Sequence, residues 1–266
     1  MSADVFDLTG HHVLVTGGAR GIGRMIAESL LRRGVIVYLS TRKEDAATEA
    51  ARALGALGEV HAFAVDIGTE RGCRELVDRV STHTDRLHGV INNAGATWGA
   101  PFDDFPDSAW DKVLGVNVKA PFTLAKAARS LLEEDARRGS GPARIINIGS
   151  IDGLLVPGYE NYSYSASKAA VHHLTRHLAA TLAPSVLVNA VAPGPFPTKM
   201  MEWVLDERGR EIENSNPLGR LGRAEDLDGV ITFLLSDASS YITGTVIPLD
   251  GGLTSTASVA LFAEEA

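Results

Sequence analysis

Tyr164 and Lys168 stand four residues apart in "NYSYSASKAAVHHL". On a helix that spacing stacks them on one face, about 6 Å apart along the axis. Of the three neighbouring tyrosines, Tyr162 meets Ala166 at the matching position and Tyr159 meets Ser163, so only Tyr164 is paired with a cation. A phenol with an ordinary pKa near 10 is a weak acid at neutral pH, and a nearby ammonium favours its ionised form. Such a pair can protonate a carbonyl oxygen as hydride reaches the carbon, or run the step backwards. Ser150, ending "ARIINIGS", can hold the same oxygen by a hydrogen bond. An isolated Tyr-x-x-x-Lys is ordinary helix decoration, so the chemistry requires a hydride source elsewhere in the chain.

"TGGARGIG", Thr16 to Gly23, is the candidate holder of that source. Gly17, Gly21 and Gly23 give G-x-x-x-G-x-G between the apolar run "HVLVT" and a helix starting near Arg20. Glycine lets backbone approach a ligand, and a helix N-terminus offers free N–H groups and partial positive charge, so a phosphate is the expected guest. A plain strand-to-helix turn is the alternative. A dinucleotide site without a 2′-phosphate usually places an acid at the end of the second strand, about 20 residues on. "VIVYLSTRK" places Ser40 there, followed by Thr41, Arg42 and Lys43, and Arg20 can converge from the glycine loop. Two guanidiniums and a hydroxyl suit a phosphate dianion, which favours NADPH over NADH. Arg20 and Arg42 can equally be read as solvated charges, and Glu44 and Asp45 lie close by.

The elements that must position these residues alternate. "HVLVT", "VIVYLS", "EVHAFAV", "HGVINNAG", "ARIINIGS", "VLVNAVAPG" and "GTVIPLDGG" are short, apolar and bounded by Gly, Pro or Asn, as strands are. Between them run amphipathic stretches, with Ile22, Ile26, Ser29 and Leu30 on one face and Leu76, Val77 and Val80 on another. Asp107 and Ser108 are expected to cap the helix through Trp110 and Val113. The alternation implies an α/β fold, a doubly wound parallel sheet covered on both faces by helices. Glu133 to Ala143 is expected to be an exposed polar loop. Residues 195–223 interrupt the rhythm for longer, as substrate lids do.

The 266 residues, 45% hydrophobic, suffice for a full core and are expected to form a single domain over 1–266. A net charge of −8 argues against nucleic acid. Cys73 has no partner for an internal disulfide, and its helical spacing suits a buried structural thiol. "MSADVFDLTG" lacks the features of a signal peptide, and no stretch reaches the roughly 20 apolar residues that cross a bilayer. The expected setting is cytoplasmic, without membrane contact.

With these motifs in place, the chain resembles the short-chain dehydrogenase/reductases over nearly its whole length. "TGGARGIG" is similar to their cofactor loop, "VDI" at 65–67 to their adenine-side acid, and "NNAG" at 92–95 to their sheet-stabilising motif. Asn117 in "GVNVKAPF", Ser150, Tyr164 and Lys168 match the family's catalytic four. "APG" at 192–194 and Thr198 match the segment beside the nicotinamide. The resemblance implies a single Rossmann sheet of seven parallel strands with a lid at 195–223. It also implies that Gly17, Arg20, Gly21, Ile22, Gly23, Ser40, Thr41 and Arg42 line the cofactor, with Asp66 and Ile67 at the adenine. Asn93, Ala94 and Gly95 would line the groove, and Pro193, Gly194 and Thr198 the nicotinamide side. Tyr164 and Lys168 would also touch the cofactor, Lys168 through the nicotinamide ribose, and Asn117 would anchor a proton-relaying water. Within the family the chain is most similar to 3-oxoacyl reductases of the rhamnolipid-associated kind, and also to gluconate and polyol dehydrogenases. A homotetramer or homodimer is implied, with the segment after Gly252 near an interface.

Several features admit two readings. His173 and His177 are four apart but lack an acidic partner between them, and His173 lies about 180° around the helix from Tyr164. No metal is expected. Met200, Met201, Trp203, Val204, Leu205 and Trp98 can wall an apolar substrate or pack the lid on its own domain. An acyl-carrier or CoA-linked acyl partner would need basic residues at the entrance, for which Arg137 and Arg138 are candidates. The expected activity is NADPH-dependent reduction of a small-molecule ketone, or oxidation of the alcohol. The alternatives are a polyol dehydrogenase and a catalytically silent nucleotide sensor.

Overall fold

The computed structural model describes residues 4–138, 141–199 and 201–256, without the side chain of Trp203. Seven strands form one sheet: β1 His12–Thr16, β2 Ile36–Thr41, β3 Val60–Ala64, β4 Gly89–Asn92, β5 Ala143–Ile148, β6 Val186–Pro193 and β7 Val246–Leu249. All pairings are parallel, in the order β3-β2-β1-β4-β5-β6-β7. The alternation read from the sequence is therefore the sheet that forms. Its strands are apolar on both faces because both faces are covered.

The helices that cover them are α1 Gly21–Arg32, α2 Glu44–Leu54, α3 Glu70–Ser81, α4 Asp107–Leu114 and α5 Ala120–Ala127. They continue as α6 Arg129–Arg137, α7 Tyr162–Leu182, α8 Glu202–Ser215, α9 Ala224–Leu235 and α10 Leu253–Thr256. Side chains alternate across β1: Val13 and Val15 join Ile26 and Leu30 of α1, Ala50 of α2 and Ile231 of α9 in one core. Leu14 points the other way, into a core with Leu76 and Val80 of α3, Leu124 of α5 and Leu178 of α7. The period of two thus supplies two cores from one strand. Cys73 is buried in the second, its Sγ 3.2 Å from the Ile67 carbonyl, and burial pushes the thiol up to about 11. That is the chemistry of a structural thiol.

Two local expectations are corrected. Asp107 and Ser108 do not cap α4, whose N-cap is Pro106 with no side-chain cap bond; Pro106 holds an extended backbone and Asp107 is already the first helical residue. The supposed loop from Glu133 is helical as far as Arg137, because Leu131, Leu132 and Asp135 are drawn onto the sheet. Residues 139 and 140 lie outside the described set. The segment expected to be a lid carries α8, which kinks at Arg208, where φ is −131°.

α7 is the helix that carries the tyrosine and lysine, and a buried polar ladder sets its place. Asn92 of β4 donates through Nδ2 to Asn147 Oδ1 of β5 at 2.8 Å. Asn147 Nδ2 donates in turn to Thr175 Oγ1 of α7 at 2.9 Å, and Thr175 Oγ1 donates to the Val171 carbonyl. Asn92 Oδ1 is buried without a partner, but the donors of this ladder are all engaged; together they fix one geometry, and breaking the ladder strands buried donors. Asn147→Ala is expected to lower unfolding stability by about 2 kcal/mol, read by urea titration.

Candidate active site

The glycine loop, Ser40 to Arg42, Asp66, the NNAG segment, Ser150 and the Pro193–Gly194 segment all lie at or just past the C-terminal ends of strands. β1 and β4 are neighbours, yet the chain leaves them towards opposite sheet edges, and the crevice at such a switch point is where ligands bind. The glycine loop opens there. Gly17 and Gly21 have φ of 65° and 55°, the left-handed region that glycine adopts without strain. A Cβ on Gly17 would meet Ala94 Cα at 3.0 Å, and one on Gly23 would collide with the Gly17 carbonyl and Asn93 Nδ2. Thr16 Oγ1 accepts the N–H groups of Asn93 and Ala94, both at 3.0 Å, while Asn93 Nδ2 donates to the Thr16 carbonyl at 2.9 Å. The "NNAG" segment therefore fastens the loop to the sheet. Thr198 faces Gly21 across the cleft, 3.6 Å from where a Cβ would stand. Beside it Pro193 closes β6, and Gly194 donates to the Leu249 carbonyl at 3.0 Å.

Ser40 is buried at the end of β2, in register with Thr16, and Thr41 is half-buried beside it. Arg20 and Arg42 are exposed and form no ion pair among the described residues. Asp66 is exposed past β3, its Oδ1 accepting the Gly68 N–H at 3.0 Å. Ile22 is half-buried against the core, whereas the Ile67 side chain belongs to the core outright and its carbonyl accepts from Cys73, which leaves its backbone N–H for a ligand.

The catalytic candidates converge from three elements. Lys168, 5% exposed, donates from Nζ to the Ile148 carbonyl at 2.7 Å and lies 5.4 Å from the centroid of the Tyr164 ring. Gly95 approaches both Lys168 Nζ and Asn117 Oδ1. Asn117 sits in a π-helical turn, Gly115–Lys119, that joins α4 to α5. Such turns often mark functional positions. Its side chain is committed: Oδ1 accepts the Ala96 N–H at 2.8 Å, and Nδ2 donates to the Ala96 carbonyl and to Ser167 Oγ. Ser167 Oγ donates to the Tyr164 carbonyl at 2.6 Å, closing the link to α7.

The phenol does not behave as its spacing from the lysine suggests. Burial pushes Tyr164 up to about 12, the Asp152 carboxylate adds to the rise, and a hydrogen bond with Ser150 opposes it. Lys168 is pushed down to about 8 by its own burial, against the pull of Asp152. The ammonium lies over the ring and is spent on a backbone carbonyl, so desolvation wins. The phenol is held in its protonated form.

Ser167, Asn147, Thr175, Asp152 and His172 are neighbours of the candidate residues or their helix that spacing arguments passed over. Asn147 alone carried a signal, a polar residue within an apolar strand. His172 packs beneath Gly149 and Gly153, where a Cβ on either would collide with its ring.

Other candidates fall elsewhere. His173 and His177 are exposed with rings 5.0 Å apart, and no metal-holding cluster exists among the described residues. Arg137 and Arg138 close α6 just before β5 begins, the opposite end of that strand from Ser150, and are paired with Glu134 and Asp85. They do not guard the entrance, because helix α6 runs away from it. Met200 and the Trp203 side chain lie outside the described residues, as do 257–266.

A family pattern described as enoyl-(acyl carrier protein) reductase matches residues 17–254. The rhamnolipids biosynthesis 3-oxoacyl-[acyl-carrier-protein] reductase of Pseudomonas aeruginosa is 40% identical over 250 residues, 93% of this chain and 97% of that one. The chain belongs to the short-chain dehydrogenase/reductase family. It is an oxidoreductase. The solved RhlG/NADP active-site complex of P. aeruginosa superposes with a TM-score of 0.90 at 39% identity, covering 94% of this chain and 98% of that one. Gluconate 5-dehydrogenase of Gluconobacter oxydans is 36% identical over 257 residues, 94% of this chain and 97% of that one.

His172 gives this short-chain dehydrogenase/reductase an acid liability. Burial, with Lys168 adding, pushes the imidazole down to about 4 from the ordinary 6.5. Below pH 6.5 the unfolded chain takes up a proton that the folded chain refuses, so the contribution is whole above 6.5 and lost on acidification. The slope is about 1.4 kcal/mol per pH unit for this group. His172→Gln is expected to flatten the fall in unfolding stability between pH 6.5 and pH 4, measured by denaturant titration across that range.

Proposed function

We propose that the protein is an NADPH-dependent oxidoreductase acting on a ketone or secondary alcohol, with a 3-oxoacyl compound or similarly apolar ketone as substrate. The observation that carries it is the convergence of Ser150, Tyr164 and Lys168 beside the glycine loop, which fits a bound dinucleotide. Gly17, Gly21, Ile22 and Gly23 would receive the diphosphate at the start of α1. Arg20, Ser40, Thr41 and Arg42 would hold the 2′-phosphate, and Asp66 with the Ile67 backbone the adenine. Asn93, Ala94 and Gly95 line the groove, and Pro193, Gly194 and Thr198 would border the nicotinamide. The cofactor, when bound, supplies hydride.

The chain's own groups do the rest. Ser150 Oγ accepts the Asp152 N–H at 3.2 Å, which keeps its own proton on the side of Tyr164, where it would hold the carbonyl oxygen. Tyr164 Oη gives that oxygen a proton as its charge develops, and the phenol's elevated pKa keeps the proton in place until then. Lys168 would hold the nicotinamide ribose, and Asn117 would anchor the water that returns protons to it.

The apolar substrate is supported by the loops at the cleft end of the sheet, where Val156 and Phe102 are 92% and 73% exposed and Trp98, Leu154 and Leu218 are also exposed. A polyol remains the second reading, since α8 sets exposed Glu202, Asp206 and Glu207 beside half-buried Val204 and Leu205. A silent sensor would not need the serine, tyrosine and lysine together. An acyl-carrier or CoA-linked acyl group is retained as the form of substrate, without Arg137 and Arg138 as its dock. We also propose a homodimer or homotetramer, supported by exposed Leu114 and Phe122 near the junction of α4 and α5. The chain would form one domain and work in the cytoplasm. No described helix is long and apolar enough to cross a membrane.

Tyr164→Phe is expected to cut turnover of a 3-oxoacyl thioester by about a thousandfold while NADPH affinity stays within about twofold, as the ring remains and only the proton donor goes. Single-turnover hydride transfer at the native rate would contradict the mechanism. Arg42→Ala is expected to weaken NADPH about tenfold or more and NADH hardly at all, by fluorescence titration. Equal losses would remove the phosphate assignment.

A further inference from the structure

The turn that follows Ser150 contains an acid that neither the glycine loop nor the proton donor explains. Asp152 is 7% exposed, in the 3-10 turn Ile151–Gly153. Its Oδ2 accepts two hydrogen bonds, from Tyr159 Oη at 2.9 Å and from Asn161 Nδ2 at 2.8 Å. Asn161 is the residue that opens α7: its carbonyl accepts the N–H of Tyr164 at 2.8 Å and of Ser165 at 3.1 Å. Its side chain does not cap the helix: Nδ2 donates to Asp152, and Oδ1, the atom that would cap, meets no donor. On the other side, the Asp152 backbone N–H donates to Ser150 Oγ. Gly153, in the same turn, lies so close to α7 that a Cβ would stand 2.6 Å from the Lys168 carbonyl carbon. One carboxylate thus joins Asn161, which opens the tyrosine's helix, to the turn that follows the serine.

We propose that Asp152 is a positioning residue, a clasp that holds the Ser150 turn and the first turn of α7 at a fixed spacing so that both hydroxyls reach one carbonyl oxygen. This rests on the reductase activity proposed above. The serine and tyrosine come from different elements, separated along the chain by the loop through Val156, so their spacing is not set by either helix or strand alone. Without the carboxylate, the buried Asn161 amide would lose the acceptor of its Nδ2 while its Oδ1 already lacks a partner. The start of α7 would then be released from the turn. Asp152 does not touch the reacting atoms; it acts through Ser150 and Tyr164.

The clasp also brings a negative charge to the phenol. The titratable groups around it are Tyr159 from the loop and Tyr164, Lys168 and His172 from α7, with exposed Arg176 further along the same helix. α4, packed along α7, carries Asp107, Asp111 and Lys112, all exposed. The carboxylate opposes phenolate formation, so it delays the rise of alcohol oxidation with pH.

Because both donors fall on one oxygen, the amide oxygen of an asparagine can accept both while the charge is removed. Asp152→Asn is therefore expected to keep ketone-reduction kcat within about threefold of wild type and to move the rise of alcohol oxidation to lower pH. Asp152→Ala is expected to lower kcat about tenfold or more, with KM and NADPH affinity within about twofold, as misplacement of a reacting group does. Tyr159→Phe removes one donor without emptying the corner and gives an intermediate loss even if the alanine variant does not fold. Hydrogen exchange across residues 159–166 is expected to quicken in Asp152→Ala and Tyr159→Phe but not in Asp152→Asn. Wild-type turnover of a 3-oxoacyl thioester with NADPH is measured first. Its failure defeats the reductase reading, while hydrogen exchange still tests the clasp. Unchanged exchange and kcat in both Asp152→Ala and Tyr159→Phe would overturn the clasp, as would Asp152→Asn losing as much kcat as Asp152→Ala with the pH profile unmoved.

Discussion

A cation with little access to water holds the site together. Lys168 is tied to the last carbonyl of β5, the strand whose next turn delivers Ser150, and it lies against the face of the Tyr164 ring. A buried ammonium is costly unless it is hydrogen-bonded. The carbonyl at a parallel strand's end is free to accept because the strand stops there. Sheet polarity therefore sets the position of the helix that carries the proton donor, and the Asn92–Asn147–Thr175 ladder fixes the same helix one layer below.

The fold was legible in the sequence because its signals are local and redundant. Each strand is a brief β-branched run bounded by turn residues, and each became a strand within a few residues of its expected ends. The glycine loop and the tyrosine–lysine pair were legible for a different reason: their spacing translates directly into geometry at a strand-to-helix turn and on one helix face. The misreadings came where polar composition stood in for structure. "EEDARR" looks like a loop, but burial of Leu131 and Leu132 on the sheet carries the helix through it. Asp107 looks like a cap, but Pro106 takes the extended position first.

What the sequence concealed are side-chain bonds between distant segments. Ser167, beside the lysine, gives no hint that it bridges Asn117 to the tyrosine's carbonyl. Nor does Asp152 advertise two donors that arrive from beyond the following loop. The phenol's ionisation was misjudged for a related reason. Spacing reports that a cation is near; it does not report that the cation is turned towards a backbone oxygen or that water has been excluded. Desolvation is a property of the assembled corner and is written in no single motif.

The groups suited to the 2′-phosphate stand apart from those suited to the carbonyl. Arg20 and Arg42 emerge from the turns after β1 and β2, on the far side of the switch point from β5 and its serine. Neither packs into a core or braces another side chain. On the proposed assignment, preference for one electron carrier can drift through a pair of surface codons while the proposed proton donor and its supports stay as they are, so that coenzyme choice would be an evolutionarily loose trait on a rigid frame.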